Sequence, residues 1–435
     1  MQDLFGFPYF EVEFDKRGKV VDRAAVDELL RHAGGAGTTD LFVLSHGWNN
    51  DMGEARGLYS KLVKRLRFVL DSAAPDGLAG RRFAVMGVLW PSKKFADKDL
   101  IPGGAASVGA VGDSALKLEL RNLRGAFDAR GADARLKRAE ALADQLESPA
   151  AQQEFVQIMR ELLPQGAGSP EKQAEVPPRF YTRDAATLLR DLAKPERPLA
   201  GGKGGAAGGV GGAGRAAGLG SVFDKAKVGA RNLLNFVTYY QMKERAGQVG
   251  STGVDPVLRE VRGAAPRIRL HLVGHSFGGR LVTAAANAAD PGGVATLTLL
   301  QAAFSHHGFS SDFDGKGGRG LFCDVVATGK VGGPVLITHT ANDKAVGLAY
   351  ALASRMAGQQ AAGVGDKNDP FGGIGRNGAQ KSGALETFRL SPLKTRYRFQ
   401  GGSLYNLLAD DFIADHSDVA DEEVAYAILS SVATT

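Results

Sequence analysis

The sequence predicts an α/β fold: a mostly parallel central sheet flanked by helices, with a large helical insertion. Three observations predict it. Short apolar runs such as Leu41-Phe42-Val43-Leu44 and residues 268–273 are strands of the buried, parallel-sheet kind. Stretches with helical spacing lie between such runs, the alternation that builds parallel sheets. One run then ends in Gly274-His275-Ser276-Phe277-Gly278, a serine bracketed by glycines where a strand gives way to a helix. A serine on so sharp a turn has a strained backbone and an exposed hydroxyl, the description of a nucleophile elbow.

In chain order, Tyr9-Phe10-Glu11-Val12-Glu13-Phe14 alternates apolar and acidic residues and runs into Asp15-Lys16-Arg17-Gly18, a strand ending in a turn. Residues 22–32 place Val26, Leu29 and Leu30 on one helical face. The strand 41–44 breaks at Ser45-His46-Gly47-Trp48-Asn49-Asn50. A helix over 53–71 leads to a strand over 83–89 that ends in Trp90-Pro91-Ser92. From about 93 to 233 no strand is legible, and residues 115–147 and 152–163 read as helix. Residues 201–220 are almost all Gly and Ala, too little side chain to offset ordering entropy, and are expected to form a flexible or disordered loop. Within them Gly202-Lys203-Gly204 lacks both the following Ser or Thr and the preceding strand of a phosphate loop. Helices are expected at 232–246 and 256–262, then the strand 268–273 and a helix over 280–288. Strands follow at 297–300 and 335–338, a helix at 345–356, a Gly-Asn-Asp loop over 366–383, a candidate last strand at 396–399 and a helix over 422–432. Asp366-Lys367-Asn368-Asp369 lacks the closing glutamate of a calcium loop and reads as an Asx-type turn. The core is therefore 1–92 with 233–435, and the insertion is 93–232.

A hydrophobic fraction of 44% and a charged fraction of 23% are those of a globular chain. The net charge of +6 is spread among acids without a block of like charge, and no nucleic-acid motif is present, so no nucleic-acid partner is expected. The single cysteine, Cys323, excludes an intramolecular disulfide and a thiolate metal cluster, and reads as a small core hydrophobe. The first residues show neither a basic n-region nor an apolar h-region, and no apolar run reaches the ~20 residues of a membrane helix. A cytoplasmic location without stable membrane insertion is the expectation, with signal-independent export left open.

A serine hydroxyl is a weak nucleophile that needs a base, and the base needs an orienting acid. The chain has only 8 histidines. His275 lies within the elbow, where its ring cannot turn back to its neighbour's hydroxyl, and His271 lies within the strand. His306, His307 and His339 follow later strands. His416, in Ala414-Asp415-His416-Ser417-Asp418, is the sole histidine beyond Thr340 and occupies a polar loop before the last helix. Asp343 stands just past the strand 335–338, where a parallel sheet presents its loops; an ordinary helix N-cap is the plainer reading of that aspartate. Negative charge developing on a carbonyl oxygen needs two backbone N–H donors. Phe277, after the serine, would supply one. Trp48 in His46-Gly47-Trp48 would supply the other, Gly47 allowing that loop to pass close to the serine.

With these residues in the order Ser276, Asp343, His416, the chain resembles the α/β-hydrolase superfamily over roughly 1–92 and 233–435. The resemblance implies a cofactor-free hydrolase, without a metal, in which Ser276 is the nucleophile, His416 the general base and Asp343 its orienting acid. A serine at the elbow argues against the dehalogenases and epoxide hydrolases of that superfamily, which use aspartate there. The expected activity is a carboxylesterase acting on a small-molecule or lipid ester. Lipase or phospholipase, amidase or peptidase, and a non-catalytic binding scaffold are the alternatives. Cap insertions in the superfamily most often follow the strand after the elbow helix, and here the large insertion comes earlier. It leaves from a strand's carboxyl end, which makes it a candidate lid.

Overall fold

The structure is a computed structural model and describes residues 1–35, 37–48, 50–92, 113–163, 179–194, 222–346, 367–368 and 371–435. The expected Gly/Ala loop at 201–220, Gly202-Lys203-Gly204 within it, most of the helix expected at 345–356, and Asp366 and Asp369 lie outside the described residues. The chain divides into two compact units. One comprises Met1–Lys93, Met242–Val346 and Gly372–Thr435, the other Lys94–Gln241 and Gly347–Phe371. The division falls within the helix Val222–Val249, which runs unbroken past position 233 because no glycine or proline interrupts residues 230–241.

The first unit holds a nine-stranded sheet: β1 (Gln2–Leu4), β2 (Phe7–Glu13), β3 (Asp40–Ser45), β4 (Phe83–Leu89), β5 (Arg269–His275), β6 (Thr296–Leu300), β7 (Val335–His339), β8 (Leu385–Arg389) and β9 (Leu404–Leu408). The order across it is β1-β2-β4-β3-β5-β6-β7-β9-β8. Every ladder is parallel except β1 with β2, so the fold is the α/β class that the sequence predicts. β1 is too short to show a periodicity. Its link to β2 is the two-residue turn Phe5-Gly6, with φ of 55° and 81°, the pair of positive values that a tight hairpin needs.

Two expectations are corrected. The last strand is not at 396–399. Those residues are irregular, and the sheet closes through β9 and β8 instead. The alternation that suggested a strand is real, but it serves ring packing: Tyr397 and Phe399 stack at 4.8 Å, and Phe399 meets the ring of Tyr405 on β9 at 4.9 Å. In the second unit the helix expected over 115–147 is broken into Asp113–Asn122 and Ala132–Leu142, the latter running on into a 3₁₀ turn at Ala143–Gln145. Gly125 and Gly131, at φ of 73° and 75°, turn the chain between the two. Among the described residues of 93–232 no strand occurs.

The sheet is covered on both faces. Phe42 and Leu44 of β3 bury in one core with Tyr59, Leu62 and Leu66 of the helix Met52–Ser72 and Val424, Ile428 and Val432 of the helix Glu422–Val432. Leu41 and Val43, equally buried, point to the other face by strand alternation, where the helix Phe277–Ala288 packs on β3 and β5. From β3 the chain crosses to β4 on one side, whereas from β5 it crosses to β6 on the other. The carboxyl ends of β3 and β5 thus flank a topological switch point, the place where open α/β sheets bind ligands. Among the described residues no helix is long and apolar enough to cross a membrane.

Where β3 and β4 end, the Tyr59 hydroxyl spans the gap, accepting from the His46 N–H at 2.9 Å and donating to the Val88 carbonyl. Tyr59→Phe leaves both buried backbone groups without that partner, which costs about 1–3 kcal/mol. The urea midpoint of the purified protein should fall accordingly; an unchanged midpoint would show that the hydroxyl is not bridging these strands.

Candidate active site

The site is built on a residue with unusual backbone angles. Ser276 has φ 56° and ψ −123°, a region that non-glycine residues occupy only when their surroundings hold them there. Three hydrogen bonds do so: the Ser276 N–H donates to the Leu300 carbonyl, and the Ser276 carbonyl accepts from Ala303 and Gly279, each at 3.0 Å. The flanking glycines answer to close approach. A Cβ on Gly274 would lie 2.3 Å from the Gly278 carbonyl oxygen, and one on Gly278 would lie 2.2 Å from that of Ser45. The helix Phe277–Ala288 begins immediately after the serine, three residues earlier than the periodicity predicts.

His416 and Asp343 reach the serine from β9 and β7. The His416 Nε2 lies 2.9 Å from the Ser276 Oγ, and its Nδ1 lies 2.9 Å from the Asp343 Oδ2. A carboxylate can only accept, so Nδ1 carries the proton and Nε2 is left to accept from the serine hydroxyl. Asp343 is fully buried, and its other oxygen accepts from the Val346 N–H at 2.9 Å. The N-cap reading and the orienting reading therefore hold together, one for each oxygen. Burial disfavours the charged form of His416, but the charge of Asp343 and its hydrogen bond outweigh this, with Asp415 adding to them. The ring's pKa is raised above the ordinary histidine value.

The remaining predicted residues gather at the same place. Gly47 passes so close that a Cβ on it would lie 2.8 Å from the Ser276 Cβ. The His46 ring is buried between two backbone groups: Nε2 accepts from the Trp90 N–H at 3.3 Å, and Nδ1 donates to the Gly47 carbonyl at 2.9 Å. Burial pushes its pKa down to about 4, so the ring stays neutral in this arrangement. The peptide unit is planar and trans, so holding the Gly47 carbonyl also fixes the direction of the Trp48 N–H. The Trp48 ring stacks on that of Phe277, 5.7 Å between centroids, joining the two residues expected to donate to an oxyanion.

Three of the other histidines lie away from this arrangement or serve other contacts. His271 donates to Asp40 at 2.9 Å and accepts from Thr296 at 2.9 Å, a second buried Asp–His pair. It lies towards the amino ends of the strands, away from the carboxyl edge where Ser276 sits, and burial lowers its pKa. His306 and His307 are buried in the loop after β6, their rings 4.0 Å apart. Cys323 is free and buried, with Arg319 donating to its sulfur at 3.0 Å.

Several positioning groups carry no signal in the sequence. Asn342 Nδ2 donates to the carbonyls of Asp410 (3.2 Å) and Ile413 (2.9 Å), and Asp410 accepts from Thr340 Oγ1 (2.8 Å) and the Ala341 N–H (3.0 Å). These bonds clamp the turn bearing Asp343 to the chain leading into His416. Arg376, buried in a glycine-rich segment, donates to the carbonyls of Ala341 and Asp343. Among the described residues no three His, Cys, Asp or Glu side chains converge on a point that could hold a metal ion.

Comparison with known protein families, with curated proteins and with solved structures returns no match.

The ring environment of His416 is directly measurable. An NMR titration should place its midpoint above the ordinary ~6.5. In Asp343→Asn burial is opposed by Asp415 alone and the midpoint should fall below that of the wild type, whereas Asp324→Asn, at an exposed aspartate paired with Arg319, should leave it in place. A wild-type midpoint at or under ~6.5 would contradict the raised pKa.

Proposed function

We propose that this chain is a serine hydrolase of the α/β-hydrolase type that cleaves carboxylic esters through an acyl-enzyme on Ser276. The observation that carries this reading is the continuous hydrogen-bonded chain Ser276–His416–Asp343 on a strained turn at the switch point of the sheet.

In the first step the Ser276 Oγ attacks the ester carbonyl while the His416 Nε2 takes its proton. The imidazolium so formed is stabilised by Asp343. Negative charge on the former carbonyl oxygen is met by the N–H groups of Phe277 and Trp48. Collapse of this intermediate breaks the bond to the alkoxide oxygen, and His416 returns its proton to the departing alcohol. Water then enters, gives its proton to the same nitrogen and attacks the acyl carbon; the Ser276–acyl bond breaks, the acid leaves and the serine recovers its proton. His416 must be neutral to act, so the rate should rise with pH through its raised pKa.

Purified protein should take a fluorophosphonate label and hydrolyse short p-nitrophenyl esters. Ser276→Ala should abolish the label and lower kcat by at least about 10⁴-fold. Asp343→Asn should lower kcat about 10³–10⁴-fold, with Asp324→Asn near wild type. Labelling that survives Ser276→Ala, or equal losses at the two aspartates, would sink the assignment. Turnover of p-nitroanilides in preference to matched esters would move the reading to an amidase.

A further inference from the structure

Resting on the serine-hydrolase reading, the geometry assigns a role to the histidine within the elbow: His275 is a positioning residue that fastens the general base to the turn carrying the nucleophile. Its Nε2–H donates to the main-chain carbonyl of His416 at 2.8 Å. The two rings lie 4.9 Å apart at 44°. His275 and Ser276 are adjacent in the chain, so the base is tied to the nucleophile by one peptide unit, one imidazole and one hydrogen bond.

The loop around His416 has need of such a tie. Its Asx bonds are internal: Asp415 accepts from the N–H groups of Ser417 and Asp418, and Asp418 accepts from that of Ala414. These shape the loop without fixing its distance from Ser276. The Asn342 clamp holds the chain at Ile413, three residues before the ring. The bond from His275 acts at His416 itself, and an error of about 1 Å in the base would cost on the order of 10²-fold in rate.

The ring of His275 is suited to this and to little else. It is only 8% exposed, and its second nitrogen, Nδ1, is buried with no hydrogen-bond partner among the described residues. A ring with one occupied nitrogen and one idle nitrogen is a donor rather than a relay. Burial, with the neighbouring His416 second, pushes its pKa down to about 3. It therefore stays neutral when His416 becomes an imidazolium beside it, and no second positive charge opposes the proton transfer.

Because only the donor matters, an amide that reaches the same point should replace the ring. Glutamine places its Nε2 as many bonds from the backbone as histidine does, whereas phenylalanine keeps the bulk and loses the donor. The test compares full-length wild type, His275→Gln and His275→Phe by kcat and KM on a p-nitrophenyl ester. It also follows, by proton NMR, the low-field signal of the Nδ1–H that His416 shares with Asp343. We expect His275→Phe to lose about 10²-fold in kcat with KM within about 2-fold, and to lose or broaden the low-field signal. His275→Gln should recover to within about 10-fold of wild type, with the signal restored. Thermal transitions at matched temperature in the two variants would show that the difference is not one of folding. Should His275→Phe fail to fold, His275→Asn, whose donor falls one bond short, takes its place. Wild-type kcat and signal in the donorless variant, or equal losses in Gln and Phe, would overturn the inference and leave the triad untouched. A wild type that neither labels nor hydrolyses would remove the hydrolase reading instead, and the NMR comparison would still decide whether His275 holds His416.

Discussion

Parallel ladder register is the constraint from which the rest of the site follows. Ser45 is level with Gly274, His275 with Leu300, Leu300 with Thr338, and His339 with Leu408. The strands β3, β5, β6, β7 and β9 therefore finish along one line, and loops of a few residues suffice to bring their contributions together. A slip of one residue in any ladder would displace a loop by about 3.3 Å and turn its side chains to the opposite face. That exceeds what the hydrogen bonds of 2.9 Å on either side of His416 could absorb. The apolar faces of the strands, pinned by helices on both sides, thus hold a polar arrangement at the strand ends. The strained angles of Ser276 belong to the same constraint, since the carbonyl of Leu300 is available to it only because β5 and β6 end together.

Two Asp–His pairs occur among the described residues, and they show how surroundings decide what the same chemistry does. His271 is fully buried with Asp40, and the positive charges of Arg81 and Arg269 lie nearby, so burial prevails and its pKa falls. His416 is 21% exposed, faces Asp343 with Asp415 beside it, and its pKa rises. His46 and His275 are driven down to about 4 and about 3, which makes them neutral hydrogen-bonding groups around a single ring disposed to accept a proton. Asp40 and His271 join the amino ends of neighbouring strands. Asp343 and His416 meet where the strands part, and there the ring has a hydroxyl to act on.

The buried strands and the elbow were legible because each has a strong local cause: an apolar run of strand length, or a serine between residues that must be glycine. Asp343 and His416 could be selected by position, the one past a buried strand, the other the last histidine in the chain. What escaped was set by tertiary contact. Tyr397 and Phe399 alternate like a strand yet pack ring on ring, while the true edge pair β8 and β9 has to be found from its partner β7. Gly125 and Gly131 sit inside a run of helix formers whose composition hides them. Arg376, Asn342 and Asp410 act on backbone carbonyls and N–H groups far away in sequence, and such partners leave no trace in a local pattern. The His275 ring cannot turn back to its neighbour's hydroxyl, and that geometry leaves it free to reach the residue across the turn.

The direct pairing of β7 with β9 has a consequence for how such a chain can change. The residues between Val346 and Gly372 fall between Asp343 and His416 in sequence, while the ladder that aligns those two residues closes without them. The same holds for the excursion from Lys94 to Gln241, which lies between β4 and β5 in sequence although neither of those strands relies on the other for its pairing. Both excursions can lengthen, shorten or be exchanged while the alignment of strand ends is preserved. Loop closure penalises added length only logarithmically, about 0.6 kcal/mol for each doubling. The architecture thus separates the part of the protein that must stay fixed from the part that is at liberty to diversify.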